Sequence, residues 1–282
     1  MTQIAASKPV RRFDYTFSPV GMIALAVILF WAIVAIFAPH LVPYSPGKIV
    51  DTDYFGPISS KLWLGSDYLG RDMLSRIIMG ARYTLGVALA GVLIASTSGV
   101  VLGMAAAVLG GWVDTILSRF MDAMLSIPSK LFGLVVVAAV GSSLPALILT
   151  LAFIYAPGSF RFARSLAVNV NTMDFIAVAR IRGESTLYLV GAEILPNIIR
   201  PVLADFGIRF VFIVLLLSGL SFLGLGVQPP LADWGALVHE NIQGLSYASA
   251  AVIAPSVAIA SLTISVNLLI DNLPRAIRDR SA

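Results

Sequence analysis

The 282-residue sequence contains no cysteine and only two histidines. The absence of cysteine excludes disulfides and thiolate metal sites, and His40 and His239 are too far apart in the chain to suggest a metal site. The sequence also lacks the glycine-rich phosphate loop that ends in Lys-Ser or Lys-Thr, and it lacks a His-Glu-x-x-His zinc motif. These absences argue against a self-sufficient ATPase and against a membrane-embedded protease.

Charge is scarce, whereas long apolar runs are frequent. Only 12% of the residues are charged, 58% are hydrophobic and the mean hydropathy is +0.91. Several uncharged runs exceed the roughly 20 residues that a helix needs to cross a bilayer. The sequence therefore predicts an all-α polytopic membrane protein with six transmembrane helices. The predicted spans are 19–38, 83–113, two spans within 123–160, then 210–231 and 241–270.

The run 123–160 contains the main ambiguity of this topology, because it could be one span or two. It is nearly twice as long as a single span, and Gly141, Ser143 and Pro145 punctuate its middle. We interpret it as two spans joined by a tight outer turn.

Basic residues set the predicted orientation. Most Lys and Arg precede the first span, separate the fourth from the fifth, or follow the sixth. The positive-inside rule places these segments, and both termini, in the cytoplasm. The net charge of +4 alone would suggest nucleic acid or anionic lipid, but charges placed beside spans indicate a membrane and no nucleic acid. The chain then divides into 1–82, with the first span and a periplasmic segment, and 83–282, a five-helix core.

Small residues recur every fourth position in the second predicted span, at Ala95, Gly99, Gly103, Ala107 and Gly111. Small side chains at that spacing let another helix backbone come close, which is how helices associate in lipid. The pattern predicts a close helix contact along this face.

The segment before that span has the pattern of an amphipathic helix. Leu74, Ile77 and Ala81 recur at helical spacing opposite charged residues. This favours a helix within 64–82 that lies in the outer membrane interface. A short helix packed against its own spans is the alternative.

The largest basic island is 171–201, between two apolar runs. A cap at 171–172 can begin a helix, and Gly183 can end it. Ser185 can cap a second short helix, which Pro196 interrupts. The island therefore predicts a helix, a glycine turn and a helix, which either link two spans or form a docking surface.

Three stretches resemble the permease subunits of ATP-binding-cassette importers for peptides. They are LGSDYLGRDMLSRIIMGAR at 64–82, EILPN at 193–197 and LSFLGLGVQPPLADWG at 220–235. The resemblance runs from the first span to the sixth and is closest to the second permease of dipeptide and oligopeptide systems. It implies the six-helix fold of a type I importer permease.

These permeases carry a cytoplasmic signature of Glu-Ala-Ala, three residues, Gly, nine residues, an apolar residue, one residue and Leu-Pro. Here Ala177 replaces the usual Glu and Val178 replaces an Ala, whereas Gly183 and the Leu-Pro pair agree. In the family this segment is the coupling helix, which fits a cleft on the ATPase, and Arg180 and Arg182 could pair with acids around it. The resemblance implies an ATPase contact made by Ala177, Val178, Ala179, Arg180, Arg182, Gly183 and Glu184.

The resemblance also implies an inner-membrane importer that works by alternating access. Its partners would be a homologous permease, two ATP-binding subunits that hold ATP and Mg²⁺, and a periplasmic solute-binding protein. This chain would carry no catalytic site and no cofactor. The outer segments 64–82 and 226–244 would form a docking or gating surface, with simple loop packing as the alternative.

Ser218, Ser221 and Asn267 are candidate pathway-lining residues, although hydrogen bonds between helices explain such polar groups equally well. A secondary transporter or channel is the alternative function. It would need ionisable side chains along its pathway, and only Lys130 comes close to lying inside a predicted span.

Overall fold

The computed structural model describes residues 18–247 and 249–272, which form helices and connecting loops without any β-strand. In chain order the α-helices are α1 (Pro19–Leu41), α2 (Met73–Leu109), α3 (Gly111–Leu125), α4 (Ser129–Val140), α5 (Leu144–Asn171), α6 (Asp174–Ile181), α7 (Thr186–Tyr188), α8 (Leu195–Phe222), α9 (Trp234–Glu240) and α10 (Ala250–Asp271). Leu189–Ile194 form a π-helical turn between α7 and α8, and Ile242–Tyr247 form a 3₁₀ helix before α10.

Five helical stretches in this part of the chain are long and apolar enough to cross a membrane. They are α1, α2, α5, α10 and the continuous stretch Thr186–Phe222, which joins α7, the π-helical turn and α8. Helices α3 and α4, bent by 87° at their junction, make a sixth span if they are counted together. The predicted all-helical membrane architecture is confirmed in this form, including the turn between α4 and α5.

Side-chain caps explain where several helices begin. Ser18 accepts a hydrogen bond from the Gly21 N–H at 3.0 Å, and Asp72 accepts one from the Ser75 N–H at 2.8 Å. Such a cap satisfies one of the free N–H groups of the first turn and stabilises the helix by about 1 kcal/mol. The caps therefore fix the first residues of α1 and α2.

The prediction of a separate interfacial helix within 64–82 is wrong. Residues 73–82 are the first turns of α2, which continues without a break to Leu109. Ile77 and Ala81 are buried against the rest of the bundle, so the amphipathic pattern reflects packing against the protein's own helices. The expected boundary between 82 and 83 lies inside α2.

Three other predicted boundaries also differ from the structure. The fifth span ends at Phe222 and not at residue 231, because 223–231 form a loop, and its helix begins well before residue 210. The sixth span begins at Ala250 and not at 241. Residues 114–122, which the predicted spans leave as a connection between the second and the third, are helical and belong to α3.

Helices α2 and α5 make the largest contact in the bundle. A Cβ on Gly99 would lie 2.6 Å from the Ala156 carbonyl oxygen, and a Cβ on Gly103 would lie 2.6 Å from the Phe160 carbonyl oxygen. Only glycine allows the two backbones to approach so closely. The predicted stripe of small residues is confirmed up to residue 107, and α5 is its partner; Gly111 lies beyond the end of α2.

The buried apolar residues form two main clusters at different positions along the length of the bundle. The larger one lies among α1, α2, α4, α5, α8, α9 and α10, and the smaller one joins α2, α5, α6, the π-helical turn and the start of α8. We call the end of the bundle with connections 42–72 and 223–247 the α9 end, and the opposite end the α6 end. The smaller cluster supports the α6 end.

Both ends of the described chain lie at the α6 end, because α1 and α10 each have their other terminus at the α9 end. The Ser18 hydroxyl donates to Asn272 Oδ1 at 2.7 Å. The basic residues of 1–17 and 273–282, on which the predicted orientation partly rests, lie outside the described residues.

Candidate functional site

The island at 171–201 folds largely as its local signals predict. Helix α6 ends at a glycine turn, and the Ser185 hydroxyl caps the next helix by accepting from the Tyr188 N–H at 3.3 Å. The predicted cap at 171–172 is wrong. Thr172 closes α5, and Met173 occupies the N-cap of α6 without a side-chain hydrogen bond.

Gly183 is required by backbone conformation and not by crowding. Its φ is +79°, and a Cβ at this position would meet no atom within 4 Å. The Gly183 N–H donates to the Arg180 carbonyl, and the Glu184 N–H donates to the Ala179 carbonyl. This pair of bonds is the Schellman arrangement, in which a left-handed residue closes a helix. A side chain at residue 183 would strain the turn.

Two residues attach α6 to the smaller cluster. Ile176 and Ala179 are fully buried, at 0% exposed. Ala179, which the resemblance places in the ATPase contact, therefore offers no surface to a partner. Its small side chain instead lets α6 lie close to the ends of α2 and α5.

The opposite side of the island exposes apolar side chains. Ile181 and Leu187 are each 85% exposed, and Val178 is 52% exposed. Ala177 is also exposed beside them. Burying these side chains on a partner would contribute roughly 2 kcal/mol each, so the surface suits docking better than it suits water.

Arg180 and Arg182, the two arginines at the end of α6, differ in their surroundings. Arg180 Nη2 donates to Asn171 Oδ1 at 2.8 Å and approaches the Val108 carbonyl oxygen at 3.4 Å. It therefore ties α6 to the ends of α5 and α2, whereas Arg182 is exposed and Glu184 is half-buried. Arg182 is the arginine that remains available to an acidic partner.

Pro196 does not interrupt the second helix, contrary to the prediction. Proline has no N–H, and in an α-helix its ring would clash with the carbonyl of residue 192. The chain widens into a π-helical turn over Leu189–Ile194, where the Leu195 N–H donates to the Val190 carbonyl, and then continues as α8. The Leu-Pro pair of the signature therefore marks the junction between the island and a membrane-spanning helix.

At the α9 end, the two outer motifs of the sequence pack against each other through buried charges. Arg76 Nη1 lies 2.7 Å from Asp67 Oδ2 and 2.8 Å from Glu240 Oε2, and Arg71 contacts the same two carboxylates at 2.6 and 3.1 Å. Asp67 is 0% exposed and Arg76 is 4% exposed. The ion cluster therefore joins the 42–72 connection, the start of α2 and the end of α9.

Trp234 completes this contact. Its indole N–H donates to the Ile77 carbonyl at 3.0 Å, its backbone N–H donates to the Thr84 hydroxyl at 3.0 Å, and its ring covers Gly80. Asp233 caps α9 by accepting from the N–H groups of the first turn. Burial raises the pKa of the Asp233 carboxyl to about 6, although these hydrogen bonds oppose the rise. The packing alternative therefore explains most residues of both motifs.

The three candidate pathway residues are not brought together. Ser218 and Ser221 are buried near the α9 end, and Gly235 packs directly on the Ser218 backbone. Asn267 is exposed in the last turns of α10, towards the α6 end.

Sequence reasoning missed a charged pair inside α8. Asp205 and Arg209 were placed before the fifth span, yet both lie within the continuous helix Thr186–Phe222. Their spacing of four residues is the signal that could have revealed a paired, and so tolerable, charge within a span.

Comparison with known families decides what this helical arrangement is. The family described as "Binding-protein-dependent transport system inner membrane component" matches residues 99–279, which is more than half of the chain. The chain belongs to this permease family. A second family, "N-terminal TM domain of oligopeptide transport permease C", matches residues 17–57. The chain is thus a permease subunit of an ABC importer and an inner-membrane component, not itself a catalyst.

Relatives match the permease over most of its length. The di/tripeptide transport system permease protein DppC of Pseudomonas aeruginosa is 32% identical over 263 residues, covering 91% of this chain and 86% of the relative. The glutathione transport system permease protein GsiD of Pectobacterium atrosepticum is 34% identical over 260 residues, covering 92% and 86%. GsiD of Salmonella typhimurium is 35% identical over 260 residues, with the same coverage.

A solved structure shares the fold. The structure titled "Crystal structure of an amino acid ABC transporter with histidines" has a TM-score of 0.51 and 18% sequence identity, and the match covers 72% of this chain and 93% of that one. At this identity the likeness supports the type I permease fold alone.

Proposed function

We propose that the permease pairs with a homologous permease to form the pathway of a peptide importer, with the α6 end in the cytoplasm and both termini on that side. Two separate ATP-binding subunits would hold ATP and Mg²⁺, and each permease would dock one of them. The observation that carries this proposal is the exposed apolar surface of α6 and α7, mounted on the smaller buried cluster.

The proposed solute is a short peptide or a peptide-like compound. The relatives are named for di/tripeptide and glutathione transport, and glutathione is itself a tripeptide. A separate periplasmic binding protein would select the solute. The permease itself would then need only to admit solutes of this chemical class.

The docking surface consists of Ala177, Val178, Ile181 and Leu187, with Arg182 and Glu184 at its margin. The absence of a glutamate at Ala177 leaves the centre of this surface apolar. Arg182 supplies the charge for pairing with an acid on the ATPase. Buried Ala179 and tethered Arg180 hold the surface in place.

The smaller cluster would transmit movement. Ile176 and Ala179 of α6 pack with residues of α2, α5 and α8, and these three helices also build the membrane-spanning core. A displacement of α6 by an ATPase would therefore move three long helices together. Such a coupled movement is what alternating access requires.

A binding protein would dock on the 49–63 loop more readily than on 64–82 or 226–244. Tyr54, Ile58 and Trp63 are between 67% and 76% exposed, whereas the motif residues of the other two segments are mostly committed to internal contacts.

The double substitution Ile181→Glu with Leu187→Glu tests the docking surface. Burying two carboxylates at an apolar contact is unfavourable, so we expect the tagged permease to lose at least tenfold of its co-purifying ATPase subunit and its ATP-dependent uptake. Circular dichroism and size-exclusion chromatography in detergent would verify the fold.

Ile58→Glu is the matched control, because Ile58 is also a largely exposed apolar residue, at 67%, and lies at the α9 end. It should leave ATPase co-purification unchanged. Full ATPase recovery with the double variant would contradict the proposed docking surface, and uptake that persists without any ATPase would contradict the importer itself.

A further inference from the structure

A charged pair lies within the long helix that follows the coupling segment. Arg209 Nη2 donates to Asp205 Oδ1 at 2.9 Å, and Arg209 Nε also donates to Asp205 Oδ2. Both side chains are 13% exposed. The two parallel hydrogen bonds form the bidentate geometry that makes arginine–carboxylate pairs strong.

The pair lies between the two buried clusters. Val202, before it, belongs to the smaller cluster, and Val211, after it, belongs to the larger one. Gly207 lies between Asp205 and Arg209 in the chain and packs against Ile270, near the end of α10. The pair is therefore near the level at which the shorter span α10 ends, in the half of the bundle that faces the α6 end.

The neighbouring helix is shaped to receive this pair. A Cβ on Gly158 of α5 would collide with Arg209 Nη1, so the glycine provides the space that the guanidinium occupies. One turn away, the Tyr155 hydroxyl donates to the Phe212 carbonyl at 3.1 Å, and the two rings stack. Tyr155, Asp205 and Arg209 thus form a polar patch on the paired helices α5 and α8.

Helix α4, which covers part of α5 and α8, has one end beside this patch. Helix α4 packs on α5 and α8, and its first turn lies beside Ile154, one residue before Tyr155. Helix α3, which precedes α4 in the chain, meets it at a bend of 87°. Towards the α6 end from this bend, Ile208 and Phe212 of α8 are 39% and 50% exposed, on the side of the helix that carries Asp205 and Arg209.

Stability alone does not account for two charged side chains that are each only 13% exposed. A buried ion pair is often no more stabilising than apolar residues of the same volume, because both ions lose their hydration. Substrate pathways are among the functions that paired ionisable residues on membrane-spanning helices mark. The partly open surface beside the pair is consistent with that role.

We propose that Asp205, Arg209 and Tyr155 line the inner half of the translocation pathway and bind the charged ends of a zwitterionic solute as it passes. This inference rests on the proposed function. An empty pathway leaves the two side chains paired with each other, which avoids an unpaired buried charge. A solute with both an ammonium and a carboxylate can exchange this single pair for two, with Asp205 holding the ammonium and Arg209 the carboxylate.

The absence of cysteine allows a direct test, because any introduced thiol is the only one in the chain. Ile208→Cys and Phe212→Cys would be prepared in the intact importer, reconstituted in nanodiscs, and treated with the charged reagent 2-sulfonatoethyl methanethiosulfonate. Ile23→Cys is the matched control, since Ile23 is 66% exposed and lies in the second turn of the apolar span α1, whose N-cap Ser18 contacts Asn272 at the end of α10. Modification of this subunit would be measured by mass spectrometry.

We expect the thiols at 208 and 212 to react at least tenfold faster than the thiol at 23, because a charged reagent reaches a water-filled pathway but not lipid. Rates no higher than that of the control would overturn the proposal. Uptake by the importer without substitutions is measured in parallel in proteoliposomes. Missing ATP dependence there would count against the proposed function and not against the location of the pair.

A second measurement tests the charges themselves. The double variant Asp205→Asn with Arg209→Gln should assemble and hydrolyse ATP normally, while uptake of the binding protein's dipeptide ligand falls about tenfold, the size expected from losing a charge-assisted hydrogen bond. The double variant Asp114→Asn with Arg164→Gln is the control, because it removes the other bidentate pair, which joins α3 to α5. Equal uptake by the two double variants would overturn the proposed role.

Discussion

At the α9 end charged side chains are buried against one another, whereas at the α6 end apolar side chains are exposed. Arg76 and Asp67 are almost inaccessible, while Ile181 and Leu187 are largely exposed. Both ends carry strong sequence motifs. The comparison teaches that one motif joins two loops of the same chain through buried charges, whereas the other presents an exposed apolar surface.

The largest expected effect is at the α9 end, with Arg76→Met. Removing one partner of a buried ion cluster leaves uncompensated charge, which costs about 3 to 5 kcal/mol, so the unfolding temperature in detergent should fall strongly. Arg180→Met at the α6 end removes an exposed arginine with a single strong hydrogen bond and should change that temperature little. Equal effects of the two substitutions would remove the distinction between the ends.

An intermediate effect is expected for Trp234→Phe. The substitution removes the indole hydrogen bond to the Ile77 carbonyl and replaces a fully buried indole with a smaller ring, which together cost about 1 to 3 kcal/mol. Trp112→Phe is the matched change at the α6 end, where Trp112 is 75% exposed, and it should be neutral. Thermal unfolding of both variants followed by tryptophan fluorescence would check this, and a neutral Trp234→Phe would show that the loop contact is not rigid.

The smallest effect on stability, with the largest effect on transport, is expected for Gly183→Asp. The left-handed backbone makes a side chain unfavourable by about 1 to 2 kcal/mol, so the protein should still insert in the membrane. The altered turn should uncouple the two activities, so that ATP hydrolysis continues while uptake is lost. Both would be measured in the same proteoliposomes. Gly191→Ala is the control, because Gly191 has neither a positive φ nor a close neighbour; normal uptake by Gly183→Asp would exclude the turn from coupling.

Local signals were enough to predict the glycine turn and the serine cap of the island at 171–201. The glycine turn and the serine cap act within a few residues, so Gly183 and Ser185 could be read directly from the sequence. The burial of Ala179 could not, because it depends on helices α2 and α5, which are distant in the chain.

Hydropathy misplaced the fifth span for a physical reason. Counting charges made the predicted span begin only after Arg209, at residue 210, although Asp205 neutralises that arginine within the helix. The same count extended the span into 223–231, where the residues are apolar but the glycines and prolines favour a loop. The burial of Arg76 depends on Asp67 and Glu240, a pairing between distant residues that composition does not reveal.

Helix α4 has a consequence for the membrane around the subunit. Its 12 residues rise about 18 Å, well short of the roughly 30 Å hydrocarbon thickness of a bilayer. The last residue of α4 adjoins the turn into α5, so the polar backbone at its first turn, beside Ile154, would then lie within the lipid tails unless another subunit covers it or the bilayer thins locally. The isolated subunit should therefore be more stable in short-chain lipids, and this preference should weaken once it is assembled.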